Sequence, residues 1–188
     1  MHKFHIKNLK KLDNPERRKS MPPEEILNRF NIGDKGTFLD VGCGIGYFTL
    51  PAAKILKKGL AIGIDISDDM LKVAKERNES LDNLIFKLSG ENFFPVEDKS
   101  IDYVFISNVF HEVEDRAAFI NEIKRVVKTH GKVLIIDWEK RDMEMGPPAK
   151  IRISLEEMKK IFEESDFKFV EEIPINNEHY GLKFREQH

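Results

Sequence analysis

The chain has 188 residues, 40% of them hydrophobic, which suits one globular domain with its own core. Its 31 Lys and Arg against 33 Asp and Glu leave a formal net charge of -2, so no global basic field gathers nucleic acid or an anionic membrane. Cys43 is the single cysteine, which excludes an intramolecular disulfide framework and a cysteine-built zinc or iron–sulfur centre.

The start, Met1 to Lys11, carries several lysines and no continuous apolar h-region. No later run approaches membrane-spanning length, and a cytoplasmic location is expected. Asn14 followed by Pro15 is an N-cap with proline at the first helical position, so a helix to about Ser20 is expected, stopped by Pro22-Pro23. A second helix carries Ile26, Leu27 and Phe30 on one face and ends near Asn31-Ile32-Gly33.

Strands and helices then alternate. Strands are expected at Thr37 to Val41, Leu60 to Ile64, Leu84 to Leu88, Ile101 to Ser107 and Lys132 to Asp137. Helices are expected at Tyr47 to Leu56, at Asp68 to Asn78, and where Phe119, Ile120, Ile123, Val126 and Val127 recur at helical spacing. Such alternation implies a mostly parallel sheet covered by helices on both faces, with ligands at the carboxyl ends of the strands. Beyond Gly146-Pro147-Pro148 a helix opens at Ser154. Two strands, Phe167 to Ile173 and His179 to Arg185, stand too close in sequence for a helical crossover and should be antiparallel.

Three glycines, Gly42, Gly44 and Gly46, follow the first strand and precede a helix. Glycine permits positive φ and close backbone approach, and a helix N-terminus adds unpaired N–H groups. Asp40 stands just before them, where a carboxylate repels a pyrophosphate and suits a cationic ligand. Asp65 ends the next strand, where it can accept bonds from both hydroxyls of a ribose.

Phe38-Leu39-Asp40-Val41-Gly42-Cys43-Gly44-Ile45-Gly46 followed by Asp65 resembles the first two signature motifs of the class I S-adenosylmethionine-dependent methyltransferase superfamily. The spacing G-x-G-x-G differs from the G-x-G-x-x-G of nicotinamide-binding folds. The resemblance implies a Rossmann-like α/β fold with a seven-stranded, mostly parallel sheet and an antiparallel last strand. Residues 32–188 would form the S-adenosylmethionine-binding domain, and residues 1–31 a helical segment capping the site.

It further implies that Asp40, Gly42, Cys43 and Gly44 lie against the methionine moiety, with Gly46 of the same turn also at the cofactor, that Asp65 holds the ribose, and that Ile66 and Met70 pack on the adenine. Core packing is an equal expectation for Met70. In Leu88-Ser89-Gly90-Glu91, Ser89 stands where the family usually places an acid. Either Glu91 takes over, or Ser89 and backbone groups at Gly90 read the adenine. The strand ending in Ser107 would bring Asn108 to the donor.

Methyl transfer needs chiefly alignment and exclusion of water. If the acceptor must lose a proton, His111 is the candidate base; the other reading is a loop histidine bonded to backbone. The second His of H-E-x-x-H is replaced by Asp115, so no metal site is expected. Asp137-Trp138 ends the fifth strand, where the pair would line an acceptor pocket or serve the core. The stretch Arg141 to Arg152, with the segment around Phe4 and His5, reads as a lid or as a solvated connection.

The chain also resembles small bacterial and archaeal methyltransferases of undefined substrate. Arsenite methyltransferases use several cysteines, and an Asn-Pro-Pro-Tyr-like tetrapeptide for amino methylation of nucleic acid is replaced here by Ser107-Asn108-Val109-Phe110. A small-molecule acceptor is therefore expected, with S-adenosylhomocysteine as product. A non-catalytic S-adenosylmethionine-binding regulatory module and a nicotinamide-dependent oxidoreductase are the alternatives.

Overall fold

The computed structural model describes residues 12–78 and 80–187; the expectations for Phe4 and His5 lie outside them. The strands are β1 (Lys35–Val41), β2 (Lys58–Asp65), β3 (Leu84–Leu88), β4 (Ile101–Ser107), β5 (Val127–Trp138), β6 (Phe167–Pro174) and β7 (His179–Glu186). The helices are α1 (Pro15–Ser20), α2 (Pro23–Arg29), α3 (Thr49–Ile55), α4 (Asp68–Glu76), α5 (Arg116–Val126) and α6 (Leu155–Glu163).

The seven strands form one sheet in the order β3-β2-β1-β4-β5-β7-β6. Pairing is parallel from β3 to β5, whereas β7 runs antiparallel to both β5 and β6. Outward from β1 the strand order reverses, and the crevice at such a reversal is where ligands bind in open α/β sheets.

Alternation along each strand divides the core between two faces. Phe38, Phe105, Leu134 and Ile136 pack with Ile26, Leu27 and Phe30 of the α2 region and with Ala52 and Ala53 of α3. Leu39, Ile62, Val104 and Ile106 face the other way, onto Phe119 and Ile123 of α5 and Met158 and Phe162 of α6. Phe105 is a hub, its ring centroid 5.9 Å from Phe30, 5.4 Å from Phe38 and 4.9 Å from Phe48. Truncating such a ring to Ala costs about 3–5 kcal/mol.

Local chemistry explains where elements begin. Asn14 Oδ1 accepts the Arg17 amide at 2.8 Å and caps α1. Pro22 and Pro23 do more than stop that helix, because they are the N-cap and first residue of α2. The helix expected from Tyr47 starts instead at Thr49, since the glycine turn, closed by Gly46 N–H to Cys43 O at 2.9 Å, runs on before it. β5 begins at Val127 rather than Lys132: Ile101 pairs with Val127, then Tyr103 with Lys132, and residues 128–131 bulge out between them. The polar run Lys128-Thr129-His130 hides this beginning from a hydrophobic pattern. No helix among the described residues is long and apolar enough to cross a membrane.

Candidate active site

The glycine turn joins β1 to α3 at the carboxyl edge of the sheet. The N–H groups of Gly42 and Cys43 both donate to Ile64 O, at 2.8 and 2.9 Å, which ties the turn to β2. Gly42 has φ +72°, and a Cβ there would lie 2.4 Å from Val109 Cγ2. The turn therefore touches the segment that follows β4. Gly44 has φ +54°, and a Cβ there would meet nothing within 4 Å. One glycine serves packing and the other borders free space.

Two carboxylates flank the turn. Asp40 is 3% exposed and accepts the hydroxyl of Thr49, the first residue of α3, at 2.6 Å. Burial pushes its pKa up to about 7, the Thr49 bond opposes the shift, and the charge of Asp65 adds to it. Asp65, 8% exposed, accepts the amides of Gly44 and Ser67 at 2.8 Å each. Burial raises its pKa while those backbone bonds lower it. Neither carboxylate has a salt-bridge partner among the described residues. Two buried acids of this kind favour a cation. The Cys43 thiol is pushed well up by burial, with Asp40 and Asp65 adding to the shift, which keeps it protonated and unreactive.

The end of β4 adds unsatisfied acceptors. Asn108 has φ +57°, in the left-handed region that Asn tolerates better than most residues. Ser107 Oγ, Asn108 Oδ1 and Asn92 Oδ1 are buried and lack a hydrogen-bond partner among the described residues, a costly condition unless a ligand supplies one.

The orientation of the Asn108 amide follows from a chain of bonds. Asn176 Nδ2 donates to Ser20 O, while Asn176 Oδ1 accepts the backbone N–H groups of Glu178 and His179. The His179 Nδ1 facing that oxygen at 3.0 Å must then carry a hydrogen. Burial, with the positive charges of Arg17 and Arg152, depresses the His179 pKa to about 3. The ring is therefore neutral, and its Nε2 accepts from Asn108 Nδ2 at 3.4 Å. The Asn108 carbonyl oxygen is left aimed elsewhere.

On the adenine side expected from the sequence, Ser89 N–H donates to Asp65 O at 2.9 Å and Gly90 pairs with Phe93. Glu91 Oε1 accepts the amide of Glu114 at 3.1 Å, and Met70 is 2% exposed on α4. Asn92 Oδ1, buried without a hydrogen-bond partner among the described residues, was not among the acceptors expected from the sequence. Thr49 and His179 were missed too, since a helix N-terminal threonine and a histidine beginning a late strand carry no signal of their own.

His111 lies in a short 3-10 turn, Phe110–Glu112, and its side chain is 3% exposed. Its Nδ1 stands 2.7 Å from Asp137 Oδ1. The same carboxylate accepts the His111 amide at 3.3 Å and the Trp138 amide at 2.8 Å. A carboxylate oxygen accepts here, so Nδ1 is the nitrogen that carries a hydrogen toward Asp137, while Nε2 stands 3.9 Å from Glu112 Oε1. Among the described residues no group of three His, Cys, Asp or Glu side chains forms a metal-binding cluster.

The stretch expected as a lid or solvated connection is tied down. Arg152, 3% exposed, donates to the carbonyls of Glu139, Arg141, Met145 and Pro147 at 2.8 to 3.2 Å. Its guanidinium lies 5.5 Å from the centroid of Trp138.

A family model described as a methyltransferase domain matches residues 32–182. A crystal structure of an S-adenosylmethionine-dependent methyltransferase from Aquifex aeolicus is 31% identical, with a TM-score of 0.90 over 97% of this chain and 98% of that one. A demethylmenaquinone methyltransferase from Oceanobacillus iheyensis is 34% identical over 117 residues, 61% of this chain and 49% of the relative. One from Staphylococcus aureus is 37% identical over 105 residues, covering 55% and 44% respectively. The chain thus spans about half the length of the curated relatives it matches. With the whole sheet order, the glycine turn and the family model in agreement, the chain belongs to the methyltransferase-domain family.

Proposed function

We propose that the chain is an S-adenosylmethionine-dependent methyltransferase acting on a small-molecule acceptor in the cytoplasm. The observation that carries this reading is the pair of buried carboxylates, Asp40 and Asp65, flanking a turn whose Gly44 borders free space. Asp40 would face the positively charged methionine end. Gly42, Cys43, Gly44 and Gly46 would line it, and Asn108 Oδ1 would accept from its ammonium group. The oxygens of Asp65 retain lone pairs for ribose hydroxyls, and Ile66 and Met70 would border the adenine. Asn92 Oδ1 suits the adenine amino group, beside Ser89, Gly90 and Glu91.

Bound S-adenosylmethionine supplies a methyl group on a cationic sulfur and leaves as the neutral thioether S-adenosylhomocysteine. His111 Nε2 would take the acceptor's proton as the new bond to carbon forms, and Asp137 would stabilise the resulting imidazolium. The position of Arg17, near enough to influence both Asp40 and His179, supports residues 12–31 as a cap over this edge. The comparisons favour neither the nicotinamide reading nor the non-catalytic one, and the buried Asp40 would repel a pyrophosphate.

Titration calorimetry with S-adenosylmethionine and S-adenosylhomocysteine tests the donor site. Binding of both is expected, and no heat with either at millimolar concentration would sink the reading.

A further inference from the structure

We propose that the cleft bordered by His111, Arg152 and the two ends of the strap is the acceptor site and that it takes a small acceptor bearing a carboxylate or phosphate group. The inference rests on the methyltransferase reading above and gives it a substrate class.

The cleft holds about 550 Å³ and includes His111 in its lining, within the range of about 300–1,000 Å³ for small-molecule sites. Its wall bears five cations against two carboxylates, although the chain as a whole carries -2. Three of the five are already engaged. Lys140 pairs with Glu157 at 2.9 Å and Lys160 with Glu164 at 3.8 Å, while the Arg152 guanidinium is spent on strap carbonyls.

Arg116 and Lys150 remain, with no ion pair or hydrogen bond among the described residues. Arg116 is half-buried, lying 5.8 Å from the centroid of the Phe110 ring. Ile151, Ile153 and Ile161 give the cleft an apolar side. The lining thus combines a surface for an apolar body, two uncommitted cations for an anionic end, and the His111 ring beside the group that loses a proton. A neutral acceptor would leave both cations unused.

Benzoate, phenyl phosphate and benzamide, titrated into the protein saturated with S-adenosylhomocysteine, test this by calorimetry and by amide shifts in 15N–1H spectra. Both anions are expected to bind, to shift Arg116, Ile151 and Ile153, and to exceed benzamide by about fivefold or more, the scale of one or two partly exposed ion pairs. Their ranking tells whether a carboxylate or a phosphate fits better. The double variant Arg116→Gln/Lys150→Gln should lose the preference with unchanged affinity for S-adenosylhomocysteine, and Arg116→Lys/Lys150→Arg should keep it. Equal binding of benzamide, no binding of either anion, or a preference that survives the double Gln variant would overturn the proposal. Failure to bind S-adenosylhomocysteine would instead overturn the donor reading, and titration of the ligand-free protein separates the two.

Discussion

Asn108 and His179 share a hydrogen bond of 3.4 Å, Nδ2 to Nε2, that turns the Asn108 carbonyl oxygen to a buried position without a partner among the described residues. A bond from that oxygen to a charged donor is worth about 1.5–3 kcal/mol. Asn108→Leu should therefore weaken S-adenosylhomocysteine binding by about tenfold or more in calorimetry. Long-range 15N–1H spectra should show His179 protonated at Nδ1 and neutral down to pH 4. In Asn108→Asp a carboxylate faces Nε2, so that nitrogen should acquire a hydrogen. A wild-type His179 that titrates near pH 6.5 would contradict the whole chain of bonds.

The pKa of Asp40 makes donor binding and stability depend on pH in opposite senses. With a folded pKa of about 7 against the usual carboxyl value of 3.8, the folded state holds this proton between those values and the unfolded state does not. Stability from this group is therefore present at acid pH and lost as pH rises toward 7. The carboxylate form attracts the ligand cation, so affinity for S-adenosylhomocysteine should rise about tenfold from pH 6 to pH 8. Asp40→Asn should flatten that profile and weaken binding at pH 8. It should also raise Tm at pH 8 relative to the wild type, with the gain shrinking as pH falls and disappearing toward pH 4. A steep profile in the variant would assign the proton elsewhere.

The sheet was legible because buried parallel strands read as apolar runs, and because the few residues between Ile173 and His179 leave room only for an antiparallel return. The placement of Asp40, the glycines and Asp65 at one edge was legible for a related reason: each sits at a strand end or in the turn that follows it. Thr49, His179 and Asn176 were not. Each acts through a partner distant in sequence, as Asn176 does on Ser20, and no periodicity marks such pairs. The early start of β5 escaped notice because a polar bulge interrupts its pattern.

Gly42 and Gly44 separate fold from ligand. Alanine at Gly42 combines a φ of +72° with a Cβ 2.4 Å from Val109 Cγ2, a clash that should cost about 2–4 kcal/mol when added to left-handed strain. Alanine at Gly44 meets no atom within 4 Å and should cost only the strain, about 1–2 kcal/mol. Its methyl would occupy the space assigned to the donor. Thermal melts and calorimetry together should show Gly42→Ala losing stability and Gly44→Ala losing S-adenosylhomocysteine affinity from a largely intact fold. Full affinity in Gly44→Ala would move the ligand away from this turn.

Arg152 ties down the strap beside the acceptor cleft by a means that lysine cannot copy. Its planar guanidinium reaches four carbonyls, whereas an ammonium has three donors on a freely turning stem. Gly146 has φ +88°, and a Cβ there would lie 2.8 Å from the Trp138 ring, so the strap is pressed against the aromatic that Arg152 also faces. Arg152→Lys and Arg152→Ala should both lose about 1–3 kcal/mol, since the freed carbonyls recover part of their bonding from water. Amide hydrogen exchange should accelerate across residues 139–152 while β1 and β4 stay protected. Unchanged exchange in the strap would mean that the apolar contacts of Ile151 and Ile153 hold it, and that the guanidinium serves the cleft's charge instead.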